Sequence, residues 1–141
     1  MVSLLAVMDA AALELALAPS TVSSNARLCL RMGFTALNRI ARSQGWKIDL
    51  DPNPDGPIAL SFGEFETAVE LITSSGFQAE RSASEAWSDF VGWRTNYETN
   101  AYRLADLTMA PVAPWSGPRK HLKGPVENPH RPPHRRPSNF H

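Results

Sequence analysis

Residues 82–109 read SASEAWSDFVGWRTNYETNAYRLADLTM, and the reading of this stretch decides the fold. Ser82 followed by Glu85 is the S-x-x-E pattern of a capping box, in which each side chain satisfies a backbone amide of the other residue at a helix start. Ala86, Phe90, Trp93, Tyr97 and Leu104 then recur at helical spacing, with Trp87 beside them. The pattern predicts one long helix from Ala83 to about Met109, with a face rich in large aromatics.

The same signature recurs upstream. Ser61 and Glu64 make a second capping box, predicting a helix over 62–75 that buries Phe62, Phe65, Val69 and Ile72, exposes Glu66 and Glu70, and ends at Gly76. Ahead of it, DPNPDGPIALSFGEF (51–65) begins like a calcium loop, with Asp51, Asn53, Asp55 and Gly56 at positions 1, 3, 5 and 6 and Ile58 at position 8. Position 12, where a bidentate glutamate must close the cage, is Phe62; Glu64 falls two residues late, which on a helix turns it about 200° away. Pro52, Pro54 and Pro57 stiffen the segment further. The stretch therefore reads as a rigid connection leading into a helix cap, and no metal site is expected.

Two more helices precede it. Ser23, Ser24 and Asn25 offer caps for ARLCLRMGFTALNRIARSQ (26–44), which stops at Gly45. Its polar stripe is Arg27, Arg31, Thr35, Asn38 and Arg42, its apolar stripe Leu30, Phe34, Leu37 and Ala41, and it carries four arginines and no acid. The run from Val2 to Ala18 is almost wholly apolar and ends at Pro19. Asp9 and Glu14 interrupt it, it is shorter than the ~20 residues of a spanning helix, and no basic segment precedes it as in a signal peptide, so it reads as a buried helix.

Composition sets the outer bounds. The chain has 141 residues, which suits one domain, and a single cysteine, Cys29, which fits a reducing cytoplasm. Residues 1–118 hold 13 Asp+Glu and 8 Lys+Arg, a net of −5, whereas residues 119–141 hold Arg119, Lys120, Lys123, Arg131, Arg135 and Arg136 against Glu127, a net of +5. Eight of the 12 prolines and all four histidines lie in 110–141. The expected architecture is all-α: about four helices in one small bundle-like domain, 1–109, followed by a disordered proline-rich basic tail, 110–141.

Chemistry is sparse in this pattern. Cys29 sits among leucines, with no histidine in the body to act as its base. Glu64 and Glu85 are explained as caps, and the other acids as solvated faces. His130 and His134 are spaced like helical metal ligands, but Pro132 and Pro133 between them forbid the helix. No enzyme activity, cofactor or specific nucleic-acid recognition is expected. Two candidate sites remain. Arg27, Arg31 and Arg42 share one face and suit phosphate or lipid head groups, although offset by Glu66, Glu70, Asp89, Glu98 and Asp106 within the domain is the expected state. Trp87, Trp93, Arg94 and Tyr97 would line a small-molecule pocket, the alternative being that these aromatics are core.

Taken together, LLAVMDAAALELALAPS (4–20), ARLCLRMGFTAL (26–37), the DP-x-P loop (51–54), AWSDFVGWRTNYETNAYRLA (86–105) and APWSGPR (113–119) resemble the C-terminal cytoplasmic region of a family of actinobacterial membrane proteins similar to two-pore-domain potassium channels. The resemblance spans about residues 3–119 and transfers no catalytic or ligand role to any residue. It implies a non-enzymatic helical module, a regulatory or assembly domain at the inner face of the cell membrane. Its partners would be a channel-like membrane protein, the membrane surface or further copies of itself. No pore helix or filter sequence occurs here, so this chain would act as a detached domain, a shortened product or a fragment rather than as a conductor of ions.

Overall fold

Both serine–glutamate pairs start helices by reciprocal bonding. In the computed structural model, which describes residues 2–21 and 24–119, the Ser61 amide donates to Glu64 Oε2 at 2.9 Å and the Glu64 amide to Ser61 Oγ at 3.3 Å. Ser82 and Glu85 repeat this at 2.8 and 3.4 Å. These bonds from serine hold both glutamates below the usual carboxylate pKa range. Glu64 is thus committed to its cap, and no group of three or more His, Cys, Asp or Glu among the described residues is placed to hold a metal ion.

The described residues form five helices and no strand: α1 (Val2–Leu17), α2 (Ser24–Ser43), α3 (Phe62–Ser74), α4 (Ala83–Arg94) and α5 (Glu98–Leu107). Gly45 (φ 70°) and Gly76 (φ 103°) take the left-handed conformation that closes α2 and α3. Each lets the next amide reach back to an orphan carbonyl, Trp46 to Ala41 at 2.9 Å and Phe77 to Ile72 at 3.1 Å. The described residues make up an all-helical domain, as their patterning indicates.

The expected single helix over 83–109 is broken in two. At the end of α4 the backbone tightens, with the Asn96 amide donating to the Trp93 carbonyl and the Tyr97 amide to that of Arg94. Thr95 Oγ1 and Asn96 Nδ2 also donate to the Gly92 carbonyl, at 3.0 and 2.9 Å. Short polar side chains that bond nearby backbone offer an alternative to the regular ladder. Apolar periodicity ran straight through the break and concealed it.

α1 is the central element, packed against both α2 and α4, while α3 packs on α4 and α5 on α2. Its buried Ala11, Ala12 and Ala16 admit neighbours closely, and Met8 lies so near Gly33 of α2 that an added Cβ there would fall 2.5 Å from the Met8 sulfur. Beside α1, Phe62, Phe65, Trp87, Phe90 and Trp115 form an aromatic cluster, the closest pair being Phe65 and Phe90 at 4.7 Å between centroids. The Leu17 carbonyl at the end of α1 accepts from the amides of Glu80 and Arg81, and Ser20 bonds the Glu80 carboxylate, which fastens the α1–α2 connection to the segment ahead of α4.

Ionisable groups do not keep to caps and surfaces, as the sequence suggested they would. Arg94 is 0 % exposed. Its guanidinium donates to Asp9 of α1 at 2.8 Å, Glu98 of α5 at 2.7 Å, the Tyr102 hydroxyl at 3.0 Å and the Trp115 carbonyl at 2.7 Å. Asp9 also accepts from the Tyr97 hydroxyl at 2.7 Å, and Glu98 from the Ala59 amide at 2.6 Å. No buried side-chain polar atom among the described residues lacks a partner.

Packing against the helices continues past Met109, the expected end of the domain, through Arg119. Residues 110–119 form a loop whose Trp115 joins the aromatic cluster. Arg119 is buried inside the loop and donates to the carbonyls of Ala110 at 2.8 Å, Pro111 at 3.0 Å and Ser116 at 2.7 Å. One arginine thereby satisfies carbonyls that no helix or sheet could reach. The expectations for residues 120–141, including His130 and His134, lie outside the described residues.

Replacing Arg94 alone by Met strands two buried carboxylates and is expected to cost ~3–5 kcal/mol, against a typical domain stability of ~5–15 kcal/mol. Adding Asp9→Asn and Glu98→Gln removes the stranded charges and should recover most of that loss. Urea denaturation of the single and triple variants measures both. A triple variant no more stable than Arg94→Met would show that charge compensation is not what the cluster supplies.

Candidate functional site

The two candidate groups from the sequence meet in part. Arg27 and Arg31 sit one turn apart on α2, and the residues opposite them are Trp93, Asn96 and Tyr97 at the end of α4 and the break that follows it. Together with Leu30 and Phe34 these line a cleft of about 280 Å³. Arg42 lies elsewhere, in the last turn of α2, about 22 Å along the axis from Arg27 at 1.5 Å per residue. There its charge also complements the negative end of the helix dipole.

The pocket expected from Trp87, Trp93, Arg94 and Tyr97 is not assembled as such. Trp87 is half-buried in the aromatic cluster, 5.1 Å from Phe65 and 5.6 Å from Phe62. Arg94 and Tyr97 point into the core, where both bond Asp9. Trp93 alone of the four projects outward, 38 % exposed. Helical periodicity identified an aromatic face correctly, but the face wraps far enough around α4 that one tryptophan falls outside the packed arc.

The later acids form no direct ion pair with the α2 arginines among the described residues. The ion pairs among the described residues are Arg81 with Asp89, and Arg94 with Asp9 and Glu98. Two of the expected neutralising acids are thus committed to arginines on or beside α4. Asn38, read as part of the polar stripe, is buried and accepts from Asn100 of α5 at 3.0 Å. The polar face of α2 is therefore narrower than its sequence suggests, with the arginines on its solvent side.

That solvent side has a mixed character. At 100° per residue, Arg31, Thr35, Leu28, Arg39, Met32 and Arg42 fall within an arc of about 100°. Leu28 and Met32 are 53 % and 58 % exposed within it. No acid occurs from residue 24 to 47, which holds Arg27, Arg31, Arg39, Arg42 and Lys47, whereas 49–89 holds Asp49, Asp51, Asp55, Glu64, Glu66, Glu70, Glu80, Glu85 and Asp89 against Arg81 alone. Charge is segregated between the two stretches.

Cys29 is half-buried on α2. No helix among the described residues is long and apolar enough to cross a membrane. No family model matches the chain, and no curated protein or solved structure matches it either.

Sequence reasoning placed no weight on Asp9, which is the most perturbed carboxyl in the domain. Burial pushes its pKa up to about 6, against the opposing pull of Arg94 and the hydroxyl of Tyr97, with Glu98 adding repulsion. With both carboxylates ionised around one guanidinium the buried cluster carries a net negative charge, and a proton on Asp9 neutralises it. Because the folded state binds this proton more tightly than the unfolded chain does, its contribution is complete below about pH 4 and is lost as pH rises through about 6. The depressed pKa values of Glu64, Glu80 and Glu85 act in the opposite sense and remove stability in more acidic solution. Unfolding free energies from urea titrations should therefore fall by roughly 1 kcal/mol between pH 5 and pH 7. Asp9→Asn should flatten that fall; a fall unchanged in Asp9→Asn would assign it to another group.

Proposed function

We propose that this domain is a non-enzymatic helical module that docks on an anionic membrane surface through the outward face of α2. The observation that carries the reading is the pattern on that face: arginines without carboxylate partners among the described residues, interleaved with the exposed side chains of Leu28 and Met32. Guanidinium groups match lipid phosphates in geometry and charge, and short apolar side chains between them can enter the headgroup layer. The acids of residues 49–89 belong to other elements, so the domain's own field would favour presenting α2 to a negative surface.

The magnitudes define the mode of binding. Arg27, Arg31, Arg39 and Arg42 at ~1 kcal/mol each near an anionic leaflet give about 4 kcal/mol, which is millimolar affinity for a lone domain. Docking of that strength acts where a second attachment keeps the chain near the bilayer, since tethering raises the effective concentration without new contacts. The resemblance to cytoplasmic regions of channel-like membrane proteins supplies such a setting: a regulatory or assembly domain at the inner face of the cell membrane, next to a membrane-embedded partner or to further copies of itself. The non-enzymatic part of the reading is supported by the occupation of the acids in caps and ion pairs.

Vesicle sedimentation tests the proposal. Pelleting is expected with phosphatidylglycerol vesicles at low ionic strength, not with phosphatidylcholine, and should weaken as salt rises. The Arg31→Gln/Arg39→Gln/Arg42→Gln variant should lose most of the binding while keeping its melting temperature. Absence of pelleting at low salt, or equal pelleting of the variant, overturns the reading.

A further inference from the structure

The cleft beside α2 carries a separate inference, which does not depend on membrane docking. Its floor is apolar, made by Leu30, Phe34 and the ring of Tyr97, and its rim carries Arg27 and Arg31 on one side and Trp93 with Asn96 on the other. At about 280 Å³ it lies just below the usual range for drug-sized ligands and suits a smaller molecule. Four features give it a chemical direction.

Neither Arg27 nor Arg31 forms an ion pair among the described residues, so two guanidinium groups one helical turn apart on the cleft rim are open to a single anion. Trp93 differs from the other tryptophans. Trp87 and Trp115 pack edge-on against Phe62 and Phe90, respectively, within the aromatic cluster and Trp46 lies beneath the Arg103 guanidinium at 5.9 Å, whereas the Trp93 ring takes part in no ring pair or cation-π contact among the described residues. Asn96 donates its Nδ2 hydrogens to the carbonyls of Gly92 and Trp93, at 2.9 and 3.1 Å, and no donor among the described residues fills its Oδ1. Finally, an adjoining hollow shares Arg27, Trp93 and Asn96 with the cleft but contains Asp55 and Asp89 on its own side. Those carboxylates repel an anion from beyond Trp93, which leaves the α2 side as the place for negative charge.

We propose that the cleft between α2 and the α4–α5 break binds a small aromatic anion, its carboxylate or phosphate held by Arg27 and Arg31 and its ring laid against Trp93 and Phe34. Shape restricts the ring to one or two fused cycles. The free Asn96 oxygen adds a preference for a ring that carries a hydrogen-bond donor. The break between α4 and α5 creates the site, because a continuous helix would carry residues 95–97 past α2 on a different line.

The probes are 1-naphthoate and 1-naphthyl phosphate, which distinguish carboxylate from phosphate. The controls are 1-naphthalenemethanol, acetate and inorganic phosphate, and all are titrated without lipid by calorimetry and by melting temperature. Saturable 1:1 binding is expected for at least one aromatic anion, with the alcohol and the ring-free anions each about tenfold weaker or more. Arg27→Gln/Arg31→Gln and Trp93→Ala should each weaken it by about tenfold, with circular dichroism reporting that the fold is kept. Arg39→Gln/Arg42→Gln should leave it unchanged while still weakening vesicle pelleting, so that failure of this site and failure of membrane docking are separable. Equal affinity for the neutral alcohol, unchanged binding in the arginine or tryptophan variants, or no saturation in the millimolar range overturns the proposal.

Discussion

A single buried guanidinium organises this domain. Removing Arg94 from water has a large desolvation cost, and the fold meets it by converging five groups from distant parts of the chain: Asp9 from α1, Glu98 and Tyr102 from α5, the Trp115 carbonyl from the final loop, and Tyr97 through Asp9. Each bond is directional, so the helices are fixed in rotation as well as in position. The break after Arg94 follows from the same constraint. The bond to Glu98 and the bond from Tyr97 to Asp9 are made together by a backbone whose turn tightens across residues 95–97. Aromatic rings complete the enclosure, with Phe90, Tyr102 and Trp115 centred 5.7–6.0 Å from the guanidinium carbon.

With so much polar capacity turned inward, the chemistry left on the outside is concentrated on one helix. α2 gives its apolar stripe to α1 and its Asn38 to α5, and the remainder of its circumference holds the arginines. None of these arginines forms an ion pair with a carboxylate among the described residues, while Asp89 bonds Arg81 and Glu98 bonds Arg94. The helix is thereby both a structural member of the bundle and its principal charged surface. Trp93 lies at the boundary between these roles, on the edge of α4 that looks toward Arg27 and Arg31.

Local rules in the sequence were sufficient wherever the relevant interaction is local. Ser61 with Glu64 and Ser82 with Glu85 announce helix starts, and Gly45 and Gly76 announce ends. What escaped detection is non-local. Asp9 looks like an interruption in an apolar run until its partner 85 positions away is known. Arg94 looks like a surface arginine on an aromatic helix, and Arg119 like the first charge of a basic tail. The one readable hint was Asp9 itself, since an acid amid a run as apolar as 4–13 needs a buried partner. Of the candidate binding residues, α2 periodicity placed Arg27 and Arg31 together, but only the path of the chain after Arg94 shows that Trp93 stands across from them.

The separation between Asp9 and its partner also bears on how the chain is made. Among the described elements α1 is made ahead of the others, apolar around nearly its whole circumference, yet its cover arrives in instalments: α2 soon after, then α4, with the Trp115 loop later still. Before Arg94 is made, Asp9 has no buried cationic partner, and closing α1 over it would leave a carboxylate uncompensated. The buried carboxylate of α1 thus ties closure of the core to the arrival of α4 and of the loop that follows α5.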